Sequence, residues 1–120
     1  MRWLAIAAAG AVGAVARYGL GVVVGVRSFP WTTLGINVTG SFMLAYLLAG
    51  PLAQRLSSTA TLALAVGLLG AFTTFSTFGY ETVVLVRDDR PSAAAAYVAA
   101  SMILGLGAAA LGYWLGRLSN

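Results

Sequence analysis

Four apolar stretches, each long enough to cross a bilayer as a helix, take up most of this chain. A helix rises about 1.5 Å per residue, so it needs about 20 predominantly apolar residues to cross a hydrocarbon layer about 30 Å thick. The stretches run over roughly 3–26, 31–52, 59–86 and 91–115, and short connections join them. Helix-ending groups lie between them: Arg27-Ser28-Phe29-Pro30 after the first, then Pro51 and Gln54-Arg55 around the end of the second. Ser58 or Thr59 offers a hydroxyl cap to the third stretch. Pro91 suits the first turn of the fourth, where its missing N–H costs no hydrogen bond. No room remains for a soluble domain, so any function must lie within the membrane.

The composition agrees. The chain is 60% hydrophobic and only 8% charged, against about 25% charged residues in soluble domains. It cannot cover itself with charge, so lipid must be its solvent over most of its surface. Arg2 followed by an apolar stretch and Ala14-Val15-Ala16 imitates a secretory leader, but the apolar pattern resumes after Arg17 and continues to Val26, as a spanning helix does. There is no cysteine and no histidine, which removes disulfides, thiol chemistry and the commonest transition-metal ligands. The net charge is +4, yet the arginines stand singly between apolar runs. That argues for headgroup contacts and against a nucleic-acid partner.

Four spans leave both termini on one side. Arg2, Arg55 and Arg117 then face one side, and Arg27, Arg87 and Arg90 the other. The positive-inside rule gives no preference between three and three. Such a balance points to dual topology, with copies inserted in both directions. An antiparallel homodimer about a twofold axis in the membrane plane is the natural product.

Polar side chains inside the spans carry what chemistry there is. Gly10, Gly13, Arg17 and Gly21 share one face of the first helix. Small residues there let another helix approach closely, with Arg17 either snorkelling to the interface or serving as a fixed positive charge at a pore mouth. The second helix carries Thr33, Asn37 and Ser41 at i, i+4 and i+8, with Gly40 alongside. A buried amide in lipid must be hydrogen-bonded, so Asn37 is either interhelical glue or an uncharged donor lining a pore. The run Gly67-Leu68-Leu69-Gly70-Ala71-Phe72-Thr73-Thr74-Phe75-Ser76-Thr77-Phe78-Gly79 places hydroxyls and glycines in the middle of the third span. That composition predicts a helix broken near the midplane, the place where channels and transporters hold ions; an intact helix packed through small polar residues is the bland alternative. Phe75 and Phe78 either pack in the core or against lipid, or present ring edges of positive electrostatic character that can contact an anion without competing as a charge. Glu81 follows and could pair with Arg17 or with another helix's hydroxyls. Tyr97 and Ser101 form a narrow polar track on the fourth helix, with Gly105 at the next step.

Taken together, Gly10-x-x-Gly13-x-x-x-Arg17-Tyr18, Gly35-Ile36-Asn37-Val38-x-Gly40-Ser41-Phe42 and Gly70-Ala71-Phe72-Thr73-Thr74-Phe75-Ser76-Thr77-Phe78 resemble the bacterial fluoride channel family known as CrcB or Fluc. The resemblance covers all four spans, and the Thr-Thr-Phe-Ser-Thr-Phe run is its most specific part. It implies an all-α integral membrane protein of the bacterial cell membrane, working as an antiparallel dual-topology homodimer with two fluoride pathways. Asn37, Ser41, Thr74, Phe75, Ser76, Thr77, Phe78, Tyr97 and Ser101 match the pathway positions, with Arg17 near the aqueous vestibule. Gly70 and Thr73 match positions whose backbone carbonyls hold a structural sodium ion at the dimer axis. Gly105 departs from the family's polar track, which leaves that step shortened or hydrated.

The function so implied is passive export of cytoplasmic fluoride, relieving its toxicity without catalysis or an energy source. Two rivals remain. A small multidrug-type proton-coupled exporter is also compact, four-helical and of dual topology, but needs a titratable carboxylate deep in the membrane; only Glu81, late in the third span, could serve. A non-transporting assembly subunit would use the same polar motifs as helix glue.

Overall fold

The computed structural model describes residues 1–120 and is all-helical. Helix α1 spans Arg2–Val24, α2 Trp31–Ala49, α3 Pro51–Arg55 and α4 Ser58–Leu62. A π-helical segment, Ala63–Leu69, leads into α5, Gly70–Phe72; α6 then covers Phe75–Arg87 and α7 Pro91–Leu118. From Ser58 to Arg87 these pieces form one span, so four helical spans are long and apolar enough to cross a membrane.

The helix ends follow local chemistry. Helix α1 stops at Val24 because Gly25 takes φ 72°, while its N–H still bonds the Gly21 carbonyl. Such a backbone suits a residue without Cβ. Helix α2 stops at Ala49, since Gly50 precedes Pro51 and is pushed to extended backbone at φ −92° and ψ 178°. Pro51 then opens α3, and Pro91 opens α7. The cap of the third span is Ser57, one residue before the expected Ser58 or Thr59; its Oγ accepts from the Ala60 N–H at 3.2 Å.

The spans pack in two pairs of like direction. Along α1 and the third span, contacts advance together: Ile6 and Gly10 meet Gly67, Gly13 meets Leu68 and Phe72, and Arg17 reaches Ala71. Along α2 and α7, Phe42 meets Gly112, and Gly50 meets Gly116. Absent side chains make both approaches possible. A Cβ at Gly13 would overlap the Leu68 carbonyl, and one at Gly67 would come within 2.6 Å of the Ile6 carbonyl oxygen. In lipid, close backbone approach of this kind replaces the hydrophobic drive that packs soluble helices. A Cβ at Gly21, on the same face of α1, would meet open space; the helices have separated there.

Only 16 of 120 residues are buried, so most apolar side chains point outward, as a lipid solvent allows. Two small cores hold the spans together. One gathers Phe78, Leu85, Ala94 and Tyr97, with Phe29 packed against it. The other gathers Leu47, Ala65 and Leu69.

Candidate functional site

Backbone leaves helical geometry inside the third span at Thr73 (φ −78°, ψ 155°) and Thr74 (φ −152°, ψ 113°). Two extended residues free peptide groups that a helix would have satisfied, and each bare group in apolar surroundings costs several kcal/mol. Side chains of three spans take up several of the freed groups. Asn37 grips Thr74 at two points: its Oδ1 accepts from the Thr74 N–H at 2.8 Å, and its Nδ2 donates to the Thr74 carbonyl at 3.0 Å. Arg17 Nε donates to the Ala71 carbonyl at 3.1 Å. Thr73 turns inward on itself, its N–H and its Oγ1 both donating to the Leu69 carbonyl at 3.0 Å. Thr74 caps α6, its Oγ1 accepting from the Thr77 N–H at 3.2 Å and donating to Thr77 Oγ1 at 2.9 Å. No hydrogen bond of the chain reaches the Thr73 carbonyl.

Gly40 makes this arrangement fit. A Cβ there would overlap the Thr73 methyl group, so only glycine lets the extended segment lie against α2 beside Asn37.

One helical stretch further, Glu81 joins three spans. Thr33 Oγ1 donates to its Oε1 at 2.9 Å, and the Tyr97 hydroxyl donates to its Oε2 at 2.7 Å. Two hydroxyl donors are what a carboxylate inside a span needs. Of the two partners open to Glu81, the hydroxyls are the ones it has; Arg17 is engaged with Ala71 instead. Tyr97 is fully buried and anchors an aromatic chain. Phe78 lies 5.1 Å from it and Phe75 5.5 Å from Phe78, both pairs tilted, with Phe29 on the other side of Tyr97 at 5.5 Å. Tilted pairs at such separations pack more favourably than a face-to-face sandwich would. Phe78 is buried, whereas Phe75 is 77% exposed.

Asn37, Thr74, Thr77, Phe75, Phe78 and Tyr97 therefore form one connected set. Ser76 is exposed at its edge, 3.4 Å from the Thr74 hydroxyl. Ser41 is half-buried one turn beyond Asn37 on α2. Ser101 Oγ is buried on α7 without a hydrogen-bond partner. Gly70 is exposed on the surface of the single chain. Glu81, Thr33 and Phe29 belong with the site although they stood outside the pathway set. Thr33 shares the i, i+4 stripe with Asn37, which was the signal available for it; Phe29, in a connection, gave none.

Beside this set lies a cavity of about 770 Å³, walled by the last turns of α1, the 25–30 connection, the start of α2 and α6. Arg17, Thr74, Thr77 and Glu81 all line it. Hydroxyls of Thr33, Thr74 and Thr77, the Glu81 carboxyl and the guanidinium groups of Arg17 and Arg27 thus border the recess. Such a lining suits a small ion stripped of part of its water. No His, Cys, Asp or Glu cluster offers a side-chain metal site.

A family model described as "CrcB-like protein, Camphor Resistance (CrcB)" matches residues 4–113. The chain is 46% identical over 118 residues to a fluoride-specific ion channel FluC of Thermus thermophilus, covering 96% of this chain and 94% of the relative. It is 45% identical over 121 residues to that of Geobacter sulfurreducens, with 97% and 94% covered. To that of Rhodospirillum centenum it is 48% identical over 109 residues, with 87% and 86% covered.

Proposed function

Because this chain belongs to the CrcB-like family, we propose that it is a fluoride-selective ion channel, a multi-pass membrane protein of bacteria that lets cytoplasmic fluoride leave passively. The observation that carries the reading is the match to fluoride channels along nearly the whole chain. The clamp of Asn37 on Thr74 beside the paired rings supports it physically.

Fluoride is small and strongly hydrated, so a pathway must replace its water with donors that do not trap it. Asn37 uses one N–H of its Nδ2 on the Thr74 carbonyl and keeps a second for the ion. The Thr77 hydroxyl accepts from Thr74 and keeps its own proton. Ser101 has no partner to claim its proton. The Phe75 and Phe78 edges add weak positive potential without a fixed charge. Ser41, Ser76 and Tyr97 complete the lining, with Tyr97 held in place by Glu81. No step needs a nucleophile or an acid–base catalyst, so the protein is not an enzyme in this reading.

The functional unit is an antiparallel, dual-topology homodimer with the third span broken near the midplane. Phe75 and Gly70, exposed on one chain, then become interior by pairing with a second copy, and the balanced arginines permit both insertions. The Gly70 and Thr73 carbonyls would hold a structural sodium ion at the shared axis. The Thr73 carbonyl, which no donor reaches, fits that role. A hard cation takes several oxygen ligands, so one chain offers half a site.

Glu81, the carboxylate a proton-coupled exporter would need, has both oxygens occupied by hydroxyls, which favours the channel. The channel is tested in cells: expressed in a bacterium stripped of its own fluoride exporters, it restores growth in fluoride medium. Absence of rescue by protein that reaches the membrane counts against it.

A further inference from the structure

Charge in the cavity is set by very few groups. Its lining contains two arginines, Arg17 and Arg27, and one acid, Glu81, so its formal charge is +2 −1 = +1. Arg17 lies deep, with its Nε on the Ala71 carbonyl. Arg27 stands at the rim, in the exposed connection after α1. Its Nε donates to the Val24 carbonyl at 3.1 Å, one of the carbonyls a helix leaves bare at its end. That bond uses a single N–H, and no carboxylate lies within ion-pair distance of Arg27. Its neighbours at this end of the bundle differ. Arg87 pairs with Asp88 at 3.0 Å, and Arg90 donates to the Ser28 carbonyl. Neither lines the cavity, and neither do Asp88 and Asp89.

We propose that Arg27 is the collecting charge of the channel mouth, the residue that makes the cavity net positive and raises the local concentration of the incoming anion. This rests on the channel reading above. The arithmetic is direct: without Arg27 the formal charge is zero, and a carboxylate in its place makes it −1. A cleft of one sign with low-dielectric walls focuses field lines and speeds entry of the opposite charge, in a way that salt abolishes. The guanidinium is fixed at the helix end but touches no group of the pathway, so it acts on entry rate and not on which anion passes. In an antiparallel pair, each face of the membrane would have one such mouth.

The test is initial fluoride flux through full-length protein in liposomes, with sodium held constant and ionic strength raised with an impermeant salt. The Debye length falls from about 30 Å at about 0.01 M to about 3 Å at about 1 M. Arg27→Gln should lower flux about threefold at the low value and leave it close to wild type at the high one. Arg27→Glu should lower it further, and Arg27→Lys should restore it. Arg87→Gln, outside the cavity, should change nothing. A loss of equal size at both ionic strengths, no loss at either, or the same loss in Arg87→Gln would overturn the role of Arg27 while leaving the channel standing. A wild type that passes no fluoride would overturn both.

Discussion

Asn37 and Thr74 are joined as two strands of a sheet are joined, one donor and one acceptor each way, at 2.8 and 3.0 Å. A side-chain amide is the smallest group that reproduces a peptide's donor and acceptor together, and the extended Thr74 exposes both of its own. The pairing ties α2 to the start of α6 and sets where Phe75 and Phe78 stand. Asn37 can thus hold the backbone and still present its second N–H to an ion.

Asn37→Asp keeps the shape but loses the donor, setting a carboxylate oxygen against the Thr74 carbonyl. A buried acceptor left unsatisfied costs about 1–3 kcal/mol. The variant should melt at lower temperature in detergent and pass fluoride at least about tenfold more slowly, since one donor and the backbone position are lost together. Thermal unfolding and liposome flux measured on the same preparation check this; wild-type values in both would remove the clamp from the account.

Gly13 and Gly21 lie on one face of α1 but differ in what lies beside them. A methyl group at Gly13 meets the Leu68 carbonyl, a backbone atom that cannot step aside, whereas at Gly21 there is open space. Gly13→Ala should destabilise the chain by about 1–3 kcal/mol through overpacking. Gly21→Ala should be neutral or stabilise it slightly, since alanine favours a helix by about 1 kcal/mol over glycine. Comparing the two melting temperatures tests the parallel packing of α1 on the third span.

Phe75 and Phe78 should separate stability from flux. Phe78 is buried against Tyr97, so Phe78→Ile loses packing as well as a ring edge. Phe75 is exposed on the single chain, and Phe75→Ile should reduce fluoride flux with the dimer still assembled. Unchanged flux in Phe75→Ile, measured alongside size-exclusion elution, would remove the ring edge from the mechanism.

The spans were legible because hydropathy and helix length are one-dimensional properties, and because Pro30, Gly50-Pro51 and Pro91 mark their ends chemically. The hydroxyl-rich run at 73–77 also marked where backbone would need side-chain partners. What supplies those partners depends on three-dimensional neighbours. The choice of Glu81 between Arg17 and hydroxyls could not be made from spacing, because Thr33, Glu81 and Tyr97 come from three different spans. The π-helical stretch Ala63–Leu69 left no sign, since its apolar residues read the same at either helical period. Gly40 stood alongside the polar stripe of the second helix, and its particular use, making room for Thr73, emerges only once the two segments touch.

The most direct measurement is anion release from liposomes holding the purified protein, loaded with fluoride in one set and chloride in the other. The account predicts rapid fluoride release well above protein-free liposomes, with chloride retained. Fluoride release no faster than from empty liposomes, or equal release of both anions, would contradict it.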